Sequence, residues 1–154
     1  MRKIETIIAV AVLAVAIPAS VTAADHLVTS GEPLAWKPGP AALPAGAQVV
    51  VLVGDPAKEG PYILRLKFPA GYKVPAHTHP NDENVTVISG FFNIGMGPKL
   101  DETKGQTLKA GGLAHLPKGM QHFAWATQET VIQLHGLGPQ GVIYVNPADD
   151  PRNK

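Results

Sequence analysis

Polar and apolar positions alternate along the chain in short runs, each closed by a turn. In PYILRLKF, Leu64, Leu66 and Phe68 fall on one side and Arg65 and Lys67 on the other, the period of a half-buried strand. Nine further runs are rich in β-branched and aromatic residues: AQVVVLV, YKVPAHTH, NVTVIS, FFNIGM, QTLKA, LAHLP, HFAWA, TVIQLHGL and GVIYVN. Past the amino-terminal leader, no window of helical length carries the i, i+3, i+4 pattern. Ten strands punctuated this closely predict an all-β domain, an antiparallel sandwich or barrel. The 16 glycines and 15 prolines are scattered without period, as many tight turns require.

Residues outside these runs set the organisation. Arg2 and Lys3, the apolar run Ile7 to Ile17 and the small residues of PASVTAA have the form of a secretory signal peptide, residues 1–24, cleaved after Ala23 or Ala24. The apolar run is too short to span a bilayer, so the expected location is secreted or periplasmic, with no membrane attachment after cleavage. Residues 25–46 are a proline-rich arm in which Leu34 and Trp36 offer anchors; its prolines cannot sustain a helix. The arm is expected to lie on the domain or on a partner subunit. A β-barrel domain over 47–147 and a polar, frayed tail over 148–154 complete the chain.

Charge and cysteine content narrow the chemistry. Cleavage removes two of the thirteen basic residues and one of the twelve acidic ones, leaving eleven of each. A neutral chain has no basic field for nucleic acid or an anionic membrane surface. With no cysteine, thiolate chemistry and disulfides are excluded, and a metal would have to be held by nitrogen and oxygen.

The stretch GYKVPAHTHPNDENVTVISG supplies such donors. Residues two apart in a strand face the same side, so His77 and His79 present both imidazoles to one point. The turn residues Pro80, Asn81 and Asp82 reverse the chain and bring Glu83 alongside. Two imidazoles and a carboxylate suit a divalent first-row metal; taken alone, the pair of histidines also suits an ordinary polar turn.

The wider spacing carries more information. Gly71, His77, His79, Glu83 and Gly90 fit G(X)5HXH(X)3E(X)6G, and Gly111, Pro117, Gly119 and His122 fit G(X)5PXG(X)2H. Together these blocks resemble the two signature motifs of the cupin superfamily, with Ala126 where the second motif usually ends in asparagine. The resemblance implies a double-stranded β-helix, the cupin jelly-roll barrel, as a single domain and a homodimer. It also implies one divalent transition metal (Fe, Mn, Ni, Cu or Zn) held by His77, His79, Glu83 and His122. Three histidines and a carboxylate leave about two octahedral positions open for water, substrate or dioxygen, unlike a closed structural zinc.

Alternation proposes a pocket around this centre. If His122 faces inward, Ala124 and Ala126 share its side and leave room, while Phe123 and Trp125 take the other. Gln133 and His135 share one face of TVIQLHGL and Ile132 and Leu134 the other; alternation leaves open which pair faces inward. Asn93 is a comparable candidate, and His115 reads as structural. A narrower possibility rests on His26: cleavage after Ala23 would place it third from the new amine, a copper(II) or nickel(II) chelating position.

The leading functional expectation is a secreted metal-dependent enzyme of dioxygenase type acting on a small organic substrate, with Glu83 the candidate to alternate between ligand and base. Decarboxylases and isomerases share this ligand set within the resemblance. The alternative is a non-catalytic protein that holds a metal or metabolite in the same pocket.

Overall fold

The computed structural model describes residues 29–30 and 33–154. The leader and the His26 chelate lie outside the described residues.

Each of the ten apolar runs forms a strand: β2 (Gln48–Val53), β3 (Gly60–Phe68), β4 (Lys73–Thr78), β5 (Glu83–Ser89), β6 (Phe92–Met96), β7 (Gly105–Leu108), β8 (Leu113–Leu116), β9 (His122–Ala126), β10 (Thr130–Gly138) and β11 (Ile143–Tyr144). A further two-residue strand, β1 (Lys37–Pro38), lies in the proline-rich arm and pairs with β2. The described residues are all-β in two antiparallel sheets, ordered β1-β2-β3-β10-β5-β8 and β11-β4-β9-β6-β7.

The alternation seen in sequence gives the strands one apolar side, and sheet pairing turns that side inward. Leu64, Leu66 and Phe68 of β3, Val85 and Val87 of β5, and Ile132 and Leu134 of β10 meet Val74, Phe92, Ile94, Ala124 and Ala126 of the second sheet in one buried cluster. Each fully buried large side chain there contributes roughly 1.5–3 kcal/mol. A smaller cluster of Ala76, Phe123 and Trp125, joined by Leu100 and Val145, covers the outer side of β4 and β9.

The described part of the arm packs on its own domain. Lys67 sits 4.5 Å over the Trp36 ring, Leu43 packs against the main cluster, and the Tyr72 and Tyr144 hydroxyls donate to the carbonyls of Pro44 and Ala42. The tail is not frayed as its polarity suggested. Residues 147–149 and 151–153 form single 3-10 turns capped by Asn146 and Asp150, and Arg152 Nη2 donates to the Val142 carbonyl at 3.0 Å.

Candidate metal centre

An irregularity in β4 aims the first histidine. Val74 pairs with Ala124 and His77 with His122, so β4 carries one residue more than β9 between these two pairs. This bulge falls at Pro75, whose missing amide could not join a regular ladder. Without it, the period of two that points Val74 inward would point His77 outward. With it, Val74 and His77 both face the interior while Ala76 joins the outer cluster.

The two motifs, far apart in sequence, are stitched together by their turns. Lys118 N donates to Asp82 Oδ1 at 2.8 Å, and Gly119 N donates to the His79 carbonyl at 3.0 Å. Gly119 stands at φ +76°, a left-handed conformation in which glycine carries no Cβ penalty. This turn ends three residues before His122 and delivers that ring beside His77, their centroids 4.2 Å apart.

His77, His79 and His122 are buried, and one ring nitrogen from each lies within 4.8 Å of the others, so the three could hold a metal ion. The second nitrogen of each ring is fixed by a backbone carbonyl. His77 Nδ1 lies 2.7 Å from Pro75 O, His79 Nδ1 2.6 Å from Gly141 O, and His122 Nδ1 3.0 Å from Met120 O. A carbonyl only accepts, so each Nδ1 carries the proton in the neutral ring and each Nε2 carries a lone pair, the tautomer a metal ligand needs.

Glu83 stands at the edge of this cluster. Its Oε2 lies 3.3 Å from His79 Nε2 and 4.0 Å from His122 Nε2, and its Oε1 accepts from Gln140 Nε2 at 2.8 Å. His79 Nε2 is buried without a hydrogen-bond partner. In the neutral tautomer a lone pair and a carboxylate oxygen therefore face each other, an arrangement that a proton or a cation must relieve. The donor set fits a divalent transition metal.

The surroundings keep two of the three imidazoles neutral and favour a proton on the third. Burial, reinforced by His122 and His79, drives His77 down to about 3 and keeps it neutral. Burial also lowers His122, more than Met120 O and Glu83 raise it. For Glu83, burial works upward, but His79, followed by His122 and His77, holds the carboxyl below its ordinary value. Burial works downward on His79, and Glu83 outweighs it.

The remaining candidates divide. Ala124 lines the cavity beside the three rings; Ala126 is buried in the main cluster but lies off the cavity wall. Gln133 and His135 face away from the cavity, because β10 pairs Ile132 with Leu66 and Leu134 with Leu64, whose side points inward. Gln133 instead accepts from Arg65 Nε at 3.1 Å on the outer face. Asn93 is also turned from the cavity: Phe92 and Ile94 line it, while Asn93 donates to Trp125 O and accepts from Thr107 Oγ1. His115 lies at the surface, its Nδ1 2.9 Å from Asn84 Oδ1.

Residues 140–142, which the sequence does not mark as site residues, belong to the site. Gln140 holds Glu83, Gly141 O holds His79, and Gln140 and Val142 line the cavity. The polar pair Gln140–Gly141 after Pro139 looks like any surface turn in sequence; its role follows only from its packing against β4 and β5.

The cavity is about 100 Å³ and is walled by both sheets and by Pro40 and Leu43 of the arm. This is a hydrocarbon pocket with one polar end.

Comparison with known proteins agrees with this geometry. The family described as "Domain of unknown function (DUF4437)" matches residues 31–150. "Germin-like protein subfamily 2 member 1" of Arabidopsis thaliana is 34% identical over 83 residues, 53% of this chain and only 37% of that protein's length. Among solved structures, a candidate acetylacetone dioxygenase from Methylibium petroleiphilum superposes with a TM-score of 0.62 at 20% identity, covering 84% of this chain and 88% of that one. An RmlC-like cupin from Shewanella frigidimarina gives 0.57 at 16% identity over 75% and 92% of the two chains. A polyketide cyclase from Streptomyces resistomycificus gives 0.56 at 16% identity over 68% and 75%. With two facing antiparallel sheets, both histidine motifs and a family match over most of its length, the chain belongs to the DUF4437 family and is a cupin.

Proposed function

We propose that this cupin is a metal-dependent enzyme acting on a small organic molecule, by oxygenase-type chemistry. The observation that carries the reading is the unpartnered His79 Nε2, buried and 3.3 Å from the Glu83 carboxylate. Three imidazoles whose Nδ1 protons are committed to carbonyls, and a carboxylate steadied by Gln140, are arranged to donate to one cation. His77, His79, Glu83 and His122 would hold it, and a divalent metal supplies Lewis acidity toward a coordinated oxygen. The chain's own contribution is to exclude water through the apolar wall, to orient the ligand rings, and to offer Glu83, the one carboxylate among the described lining residues, to take a proton. The structural neighbour named as a candidate acetylacetone dioxygenase supports a reaction of this type on a small carbonyl compound. The signal-peptide form of residues 1–24 in the sequence supports an activity outside the cytoplasm.

One observation favours the second reading, a non-catalytic holder of a metal or metabolite. With Gln133 and His135 outside the pocket, no acid or base among the described residues reaches the cavity besides the site residues themselves. Elemental analysis of protein purified from its native compartment, followed by oxygen uptake with catechol, flavonol, keto-acid and diketone panels, separates the two. The enzyme reading expects a bound first-row metal, its loss in His79→Ala, and oxygen consumption with at least one panel. Metal retention without turnover assigns the protein to the holder class. Equal, near-zero metal in wild type and His79→Ala overturns both.

A further inference from the structure

The wall of the cavity is more selective than its size alone. Beyond His77, His79, Glu83, His122 and Gln140, every described lining side chain is hydrocarbon, with Leu43, Leu66, Phe92, Ile94 and Leu134 contributing large surfaces. Among the described residues, no lysine, arginine, serine, threonine or tyrosine lines the cavity. The amide of Gln140 is already engaged at both ends, donating to Glu83 and accepting from Gly141 N.

These facts restrict the ligand in three ways. A dry apolar cavity of about 150 Å³ takes benzene, so one of about 100 Å³ takes a ligand of about four to six non-hydrogen atoms without displacing its wall. Neutral imidazoles and one carboxylate leave a divalent cation with one uncompensated positive charge, which a single negative charge on a ligand oxygen offsets. A second negative charge would be buried with no cationic side chain on the wall to meet it, and scattered hydroxyls would go unpaired at about 1–3 kcal/mol each.

We infer that the ligand is a compact aliphatic carbonyl compound, neutral or singly anionic, with its oxygens grouped at one end, and that Leu43 limits its length. Leu43 and Pro40 are the lining residues that come from the arm, and Tyr72 and Tyr144 pin the flanking carbonyls of Pro44 and Ala42 so that Leu43 cannot swing aside freely. Placement of the oxygens rests on the metal reading; the hydrocarbon wall and the Leu43 limit do not.

The test uses two independent measurements on the full mature chain. Ligand-observed NMR on metal-free protein should detect cyclopentanone and not glycerol, which has the same number of non-hydrogen atoms. Titration of Co(II)-loaded protein, followed by its visible bands, should show acetohydroxamate acting at least tenfold below the concentration needed for the dianion oxalate. Leu43→Ala should improve benzohydroxamate relative to acetohydroxamate by tenfold or more. Equal NMR signals from glycerol and cyclopentanone overturn the hydrocarbon wall; equal or better action by oxalate overturns the charge limit; an unchanged hydroxamate ratio removes Leu43. Failure to bind Co(II) overturns the metal reading and the oxygen placement together, while the NMR result still decides the wall.

Discussion

The Gln140 side-chain amide donates to Glu83 Oε1 across 2.8 Å, and the next residue's carbonyl takes the Nδ1 proton of His79 across 2.6 Å. One short turn between β10 and β11 thus orients both Glu83 and one of the three histidines that could hold a metal. Partners of this kind typically account for 10–100-fold in metal affinity. Gln140→Leu, which keeps the volume and removes the donor, should weaken metal retention by about that factor in a chelator competition. Unchanged retention would show that Glu83 is held without Gln140.

Acid should destabilise the metal-free protein through His77. Its buried ring stays neutral down to about 3, whereas in the unfolded chain it protonates near 6.5. Between those values the unfolded state binds the extra proton, so stability falls as the pH drops from about 6.5 toward 3, and the loss is absent above 6.5. This residue alone gives a slope approaching about 1.4 kcal/mol per pH unit. Urea unfolding of chelator-treated protein between about pH 7.5 and 5 should show a steeper decline in wild type than in His77→Gln, and parallel declines would contradict the assignment.

The strands were legible because alternation and turn residues act locally. Both motifs were legible as spacing. What sequence alone could not supply was the face each strand presents. Alternation places Gln133 opposite Ile132 but not which of them faces in; that is decided when β10 pairs with β3 and puts Gln133 beside Arg65. Pro75 inside an apparent strand was the local sign of the bulge that turns His77 inward. Gln140 and Gly141 had no such sign, since they act on residues 57 and 62 positions away in the chain.

The arm should loosen when its tyrosine anchors are cut. Burial pushes Tyr144 up to about 12 and raises Tyr72 further, so both hydroxyls remain donors throughout the neutral range. Tyr72→Phe and Tyr144→Phe each remove one donor to the arm, at about 1 kcal/mol apiece. Hydrogen exchange should quicken over residues 40–47 while the amides of β3 and β10 stay protected. Faster exchange across both sheets instead would mean that the phenols support the core rather than the arm.

Gly105→Ala provides a test in which backbone and packing predict opposite signs. Gly105 has φ −110° and ψ 164°, ordinary extended backbone where alanine should gain about 0.5–1 kcal/mol over glycine. A Cβ there, however, would overlap the ring of Trp125, and one at Gly95 would overlap Phe123. The two rings stack with centroids 6.1 Å apart over the outer side of β9, the strand whose inner side carries His122 and Ala124. Overpacking typically costs 1–3 kcal/mol, which exceeds the backbone gain. Urea unfolding should therefore find Gly105→Ala less stable than wild type, with much of the loss recovered when Trp125→Leu is added. A variant more stable than wild type would mean that the indole yields easily and that this aromatic layer does not fix the position of β9.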